Sequence, residues 1–264
     1  MTTTESEVIP QAAAADTSAG AQQGSPGADS SIPVTADMIT AATNLLGSTP
    51  VFWGRYFTSV TTTGDVEYRH AIENAPLHAA GIRLLPICRQ THHVAGNAAL
   101  GEADGDANAQ DFIETFGADV LTAQGGTFIL FLDVEGAPSL SADYYTGWVS
   151  GLRQAALALT GGNVQILPGL YASQGDAATW QALAAAINAG SICEGVWIAR
   201  YYTNQCALGN WDDSIVTPPA PSPFPAPILA WQYAENCLNG QIDTSQTNPG
   251  IDLNNDLLSY LVQP

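Results

Sequence analysis

Asp133 and Glu135 stand two residues apart at the end of an apolar run, Phe128-Ile129-Leu130-Phe131-Leu132, and Gly136 follows them. Five consecutive apolar residues are too few for a helix and read as a strand buried on both faces. Side chains alternate along a strand, so the two carboxylates share one face, with Leu132 and Val134 on the other. Their Cα atoms then lie roughly 6.5–7 Å apart. Two carboxyls at that spacing, one protonated and one ionised, suit work on a single glycosidic bond. Burial and mutual repulsion push the two pKa values of such a pair apart. An isolated D-x-E can equally end a strand by capping a helix or binding a surface arginine, so the rest of the chain must decide.

The elements that would deliver these groups alternate along the sequence. A short first strand ends near Gly27-Ala28-Asp29-Ser30, and Thr35 caps a helix running toward Leu46. Strand two is 51–57, followed by a helix over 67–80 that stops at Gly81; strand three is 82–88. A polar loop carries His92 and His93, and a helix spans 106–122. After the D-x-E strand, Ser141 caps a helix through Leu159 that Gly161-Gly162 ends. Strand five is 164–171, a helix covers 177–189, and strand six is 195–202. A proline-rich loop, 217–227, cannot be helical and replaces the next crossover. Strand seven is 228–233 and strand eight is 250–254. Eight strands with helices between five of them at regular spacing predict an α/β fold, a TIM-like β/α barrel over residues 27–264. A doubly wound sheet usually opens with a G-x-G-x-x-G loop, which does not occur here. Residues 1–26 hold almost no large apolar side chains and read as a flexible low-complexity tail.

In such a barrel the reactive groups sit at the C-terminal strand ends. Those positions hold Asp29, Arg55, Asp133, Glu135, Tyr171, Arg200, Gln232 and Asp252, with Trp231 and Tyr233 among the rings nearby. Carboxylates crowded at one mouth repel unless protons and arginines are shared among them, which weighs against a purely structural role. Acids on a floor and rings on the walls suit a sugar chain.

Composition narrows the partners. The chain has 264 residues and a formal net charge of −19, from 25 acids against six arginines and no lysine. Nucleic acid is therefore an unsuitable partner, as is an anionic membrane surface. Without lysine there is neither a Schiff base nor a Walker-type phosphate loop. No apolar run reaches the roughly 18 residues of a membrane span. The N-terminus lacks the basic and apolar regions of an ordinary secretory signal, leaving localisation open, export by another route included. No cofactor is expected. Neither is a metal: adjacent His92 and His93 cannot both face one ion without a turn, and Asp104-Gly105-Asp106 matches a calcium loop only in part. Of four cysteines, Cys206 and Cys237 each follow a strand and could meet at one rim, whereas Cys88 reads as a buried free thiol.

An ordered set of segments carries a family resemblance. It comprises Gly27-Ala28-Asp29-Ser30 with Pro33 and Thr35, Phe52-Trp53-Gly54-Arg55-Tyr56, Leu85-Pro86-Ile87 and Phe131-Leu132-Asp133-Val134-Glu135. It continues with Gly169-Leu170-Tyr171, Trp197-Ile198-Ala199-Arg200-Tyr201, Trp231-Gln232-Tyr233 and Ile251-Asp252-Leu253-Asn254. Together they resemble the bacterial glycoside-hydrolase-like domain family, a relative of the family 25 glycoside hydrolases, the lysozymes with a D-x-E strand. The resemblance implies a barrel whose later strands lack full helical crossovers. It implies Glu135 as proton donor, Asp133 assisting, and Asp29 and Asp252 completing an acidic floor. It also implies a peptidoglycan-like glycan as substrate, cut beside N-acetylmuramic acid with help from the 2-acetamido group.

The expected function is a glycosidase of the lysozyme type, with Arg55, Tyr171, Arg200, Trp231, Gln232 and Tyr233 binding substrate. The alternative is a catalytically inactive barrel serving as a glycan-binding, structural or effector module, for which the tail could dock a protein partner. The hydrolase expectation carries a geometric condition: Asp29 and Asp252 must both lie on the same side of the molecule as Glu135, and if either does not, the expectation falls and only the architecture stands.

Overall fold

A computed structural model of the chain describes residues 22–57, 67–89, 92–136 and 138–264. Eight strands close into one barrel in sequence order: β1 (Pro26–Asp29), β2 (Phe52–Phe57), β3 (Arg83–Arg89), β4 (Thr127–Val134), β5 (Gln165–Ser173), β6 (Gly195–Ala199), β7 (Ile228–Asn236) and β8 (Ile242–Thr247). Neighbours from β1 to β7 pair in parallel. β8 runs antiparallel to both β7 and β1 and closes the ring. The β/α barrel expected from the element pattern is the fold that forms.

Helices α1 (Ala36–Leu46), α2 (His70–Ala80), α3 (Ala98–Phe116), α4 (Ala118–Ala123), α5 (Ala142–Thr160) and α6 (Ala177–Asn188) lie between successive strands. Their ends follow local chemistry. Thr35 accepts from the Met38 N–H and Ser141 from the Tyr144 N–H, while Gly47 and Gly161 supply left-handed C-caps. Between β6 and β7 only a single turn, α7 (Asp213–Val216), interrupts the proline-rich connection.

Strand alternation divides the apolar residues into two cores. Phe52, Leu85, Ile87, Phe131, Tyr171 and Trp197 fill the barrel interior. Trp53, Phe57, Leu130, Leu132 and Trp231 point outward, into the layer beneath the helices and loops.

Several boundaries differ from expectation, three of them substantially. α3 starts at Ala98, capped by Asn97, rather than at 106. Gly101 and Gly105 suggest a loop, but a Cβ on either would stand 2.1 or 2.2 Å from the carbonyl oxygen of Tyr144 or Trp148. They are glycines because α3 and α5 pack backbone to backbone. The eighth strand is 242–247, not 250–254; residues 253–257 form a single π-helical turn instead. Of the expected tail, residues 1–21 lie outside the described residues, and so does the proposed docking of a partner there. Residues 22–26 are pinned, with Gln22 accepting from the Trp211 N–H and Gly24 donating to the Gln246 side chain.

Candidate active site

Register assembles the site at the C-terminal ends of the parallel strands. Arg89, Asp133, Tyr171 and Trp197 are successive Cα partners on β3, β4, β5 and β6, so one inward-facing row crosses half the barrel. On the other side Asp29 of β1 pairs with Gly54 of β2 and Asp243 of β8. A Cβ at Gly54 would come within 2.7 Å of the Asp29 Cβ and 3.3 Å of the Trp197 ring, so only glycine leaves both side chains their places. These groups surround a cavity of about 210 Å³ whose lining includes Asp29, Tyr56, Arg89, Asp133, Glu135, Tyr171, Trp197, Tyr201, Gln232 and Asp243. That is below the ~300–1,000 Å³ of pockets for drug-sized ligands and matches one ring-sized group. Trp197 forms its base, packed 4.7 Å from the Tyr171 ring and edge-on to Phe52 and Phe131.

Glu135 is the accessible acid. Its side chain is 34% exposed, whereas Asp133 behind it is 1% exposed. Tyr171 Oη lies 2.8 Å from Glu135 Oε1 and 2.5 Å from Gln232 Oε1, and Tyr201 Oη lies 2.6 Å from the same amide oxygen. Gln232 Nε2 donates to Asp29 at 2.9 Å. Burial pushes the Asp29 carboxyl well above the usual range, and the nearby Asp243 and Glu135 add to it. Asp243 is pushed up to about 6, again chiefly by burial, with Glu135 contributing. Burial likewise raises the Tyr56 and Tyr171 phenols, reinforced by the surrounding carboxylates, so both stay protonated donors at neutral pH. Arg89 offsets part of this negative charge: its guanidinium lies 3.6 Å from Asp133 and 3.4 Å from Glu135, over the Tyr56 ring at 5.5 Å.

Several expected site residues lie elsewhere. Asp252 is at the opposite end of the barrel. Its neighbours Ile251 and Asp256 line a cavity with Ile129, Leu167, Glu194 and Leu229, at the N-terminal ends of β4 to β7. Its carboxylate caps the turn that follows, accepting from the Asn254 and Asn255 N–H groups, which hold it below the usual range. The condition required both aspartates on the side of Glu135 and therefore fails at Asp252, and the hydrolase expectation falls in the form that counted Asp252 in the site; Asp29 alone lies where expected. Arg55 also leaves the mouth. Tyr56 faces the cavity, so alternation turns Arg55 into the outer layer, where it is fully buried against Glu73 at 2.7 Å and donates to the Ser30 carbonyl. The same parity applies on β7: Gln232 faces inward, and Trp231 and Tyr233 pack outward, bonded to the carbonyls of Arg200 and Cys206. Arg200 is exposed on a side cleft shared with Glu135 and Tyr201. Asp29, Asp133, Glu135, Tyr171 and Gln232 converge.

Sequence reading missed Asp243 and Arg89 as members of the site. Ile-Asp occurs twice near the C-terminus, as Ile242-Asp243 and Ile251-Asp252, and the second stands in more apolar surroundings. The polar run Asp243-Thr-Ser-Gln-Thr247 carries little strand signal. Arg89 stands one residue past the expected end of strand three; two-residue parity from Leu85 and Ile87 would have found it. His93, set aside as a ligand, pairs with Asp104 at 2.7 Å.

Also at the cavity wall, Asn236, Leu238, Asn239 and Gly240 adopt left-handed backbone angles, φ 51–80°, and a disulfide from Cys237 to Cys206 anchors that turn. The bridge left open by the sequence is thus present, with a Cα separation of 5.7 Å; Cys88 and Cys193 are free thiols.

Comparison with known proteins places the barrel. It superposes on GHIP, a glycosyl hydrolase 25 of Streptococcus pneumoniae, with a TM-score of 0.53 at 15% identity, covering 91% of this chain and 94% of that one. The fold is glycoside-hydrolase-like. The spore cortex lytic enzyme SleM of Clostridium perfringens matches with a TM-score of 0.52 at 15% identity, over 87% of this chain and 68% of that one. An uncharacterised B. stearothermophilus protein matches with a TM-score of 0.65 at 21% identity, over 90% of this chain and all of that one. No family model and no curated protein matches the sequence.

Proposed function

We propose that the protein is a glycosidase acting on an amino-sugar polymer of the peptidoglycan type, with Glu135 as general acid and then base. The observation that carries this reading is the convergence of Asp29, Asp133, Glu135 and Asp243 on one ring-sized cavity at the catalytic end of the barrel. With Asp252 removed from the set, the reading rests on Asp243 in its place, an acid from a different strand. The similarity to a glycosyl hydrolase 25 and to a spore cortex lytic enzyme supports the substrate class. In this reading Asp133 supports developing positive charge or orients an acetamido group, and Tyr171 holds Glu135 in place. Asp29 and Asp243, with carboxyls pushed up by burial, hydrogen-bond to the sugar. Incubation with purified peptidoglycan tests it: new reducing ends should appear with the native chain and vanish with Glu135→Gln.

One observation favours the second reading, a barrel that binds glycan without cutting it. Arg89 forms ion pairs with both carboxylates of the D-x-E pair, and carboxylates already engaged by a cation suit binding better than proton donation. Retention on insoluble peptidoglycan without any new reducing ends would select that reading.

A further inference from the structure

Four short contacts run from Glu135 to Asp29 through two phenols and one amide. Tyr171 Oη touches Glu135 Oε1 and Gln232 Oε1, Tyr201 Oη touches Gln232 Oε1, and Gln232 Nε2 touches Asp29 Oδ2. A phenol has one proton to give, while an ionised carboxylate and an amide carbonyl have none. The three contacts on the tyrosine side need three protons, and the tyrosines bring two. With both carboxyls ionised, one contact in a largely buried site becomes lone pair against lone pair, which is costly.

One added proton removes the deficit in either of two ways. Carried by Glu135, it goes to Tyr171 Oη; Tyr171 and Tyr201 then both donate to the amide oxygen, and the amide nitrogen donates to ionised Asp29. Alternatively the Gln232 amide is turned end for end, exchanging two atoms of nearly equal size. Asp29 then carries the proton and donates it to the amide oxygen. The two amide N–H groups donate to Tyr171 and Tyr201, and Tyr171 donates its own proton to ionised Glu135. Each arrangement holds one proton and one negative charge across the two carboxyls.

We propose that Gln232 couples Asp29 to Glu135, so that the pair shares one proton and the amide orientation follows which carboxyl holds it. The amide itself gains and loses no proton; the proton leaves one carboxyl and joins the other by way of solvent at the open side of the cavity. Other charges face the pair. Asp243 of β8 and Arg55 of β2 act on Asp29, while Arg89 of β3 and Asp133 of β4 lie beside Glu135. The upward push on Asp29 from burial agrees with a proton held there. Gln232 is thus a positioning residue. Its catalytic consequence rests on the glycosidase reading: the first arrangement is the loaded acid, and once its proton has gone to the leaving group, Asp29 takes a proton from solvent to give the second, with Tyr171 donating to the Glu135 carboxylate.

Carboxyl NMR titration of the full chain tests the coupling without any turnover. Asp29→Asn is introduced into the native background and into Gln232→Met, and the displacement of the Glu135 midpoint is measured in each. Through-space repulsion acts in both backgrounds and the amide in only one. The displacement in the Met background should fall to roughly half or less of the native one; equal displacements overturn the proposal. Should Gln232→Met fail to fold, the side-chain amide resonances of Gln232 in the native protein decide. They should move with the same midpoints as Glu135 and Asp29, and amide signals that stay fixed while either carboxyl titrates overturn it. A protein that passes these measurements yet releases no reducing ends loses the glycosidase reading and keeps the coupling.

Discussion

Asp29 and Asp243 are Cα partners across the antiparallel seam that closes the barrel, and both face the cavity. Two carboxyls on adjacent strands, Asp29 buried and Asp243 half-buried, cannot both ionise cheaply, and both are pushed up, Asp243 to about 6. An ordinary aspartate titrates near ~4, so between that value and about 6 the folded state binds more protons than the unfolded chain. Stability from this site is therefore complete below pH ~4 and is lost as pH rises through about 6. Asp243→Asn should flatten that fall and raise stability at pH 8 by about 1–3 kcal/mol. Urea unfolding of both proteins across this pH range checks it; equal slopes would remove the buried-carboxyl account.

Glu135 and Arg89 make a second, kinetic prediction. Glu135→Gln should cut turnover on purified peptidoglycan by at least about 10²-fold, the usual scale of general acid–base catalysis, at unchanged thermal stability. Arg89→Met removes the cation paired with Asp133 and Glu135 and should lower turnover as well; full turnover in that variant would show that the guanidinium takes no part.

How far the sequence reveals this site depends on parity. Asp133 and Glu135 were legible because an apolar run fixes both the strand and its alternation. The same alternation, applied to β2 and β7, separates Arg55 from Tyr56 and Trp231 and Tyr233 from Gln232, but strand ends alone do not reveal which set faces inward. Buried arginine against Glu73 is a long-range pairing between β2 and α2 that no local pattern encodes. β8 was illegible for a different reason: its polar residues are buried by neighbours on both sides, so its propensity understates its burial. The barrel itself was legible because helix caps and glycine stops recur with regular spacing.

Asp243 and Asp252 offer a direct contrast. Asp252→Ala deletes a cap at the far end of the barrel and should lower stability only slightly while leaving turnover at the native level. Asp243→Ala alters the cavity and should reduce turnover strongly. A loss of activity in the Asp252 variant, at full occupancy of the folded state, would contradict the placement of the site.

Arg55 and Glu73 are both fully buried and bonded at 2.7 Å. Removing one partner strands a charge in the outer layer, so Glu73→Ala should destabilise by about 3–5 kcal/mol. Glu73 also accepts from the Val34 and Arg69 N–H groups, and these bonds are lost with it. Replacing both charges together, as Arg55→Met with Glu73→Leu, should recover a large share of that loss. Denaturant midpoints for the two single variants and the double variant measure this. Additive losses would mean that the two side chains are not a unit.

The Cys206–Cys237 bridge closes a segment with a sequence separation of 31 and fastens the left-handed turn that walls the cavity. Chain-entropy arithmetic for a loop of that length gives about 3–4 kcal/mol of stabilisation, through restriction of the unfolded chain. Leu238 in the left-handed region costs of order 1 kcal/mol, so this turn is the part of the wall that most needs an anchor. Reduction, or the paired Cys206→Ala and Cys237→Ala change, should lower the unfolding free energy by that amount. It should also raise hydrogen exchange in residues 236–241 before any other part of the barrel. Exchange that rises uniformly, or not at all, would show that the turn is held by its hydrogen bonds alone.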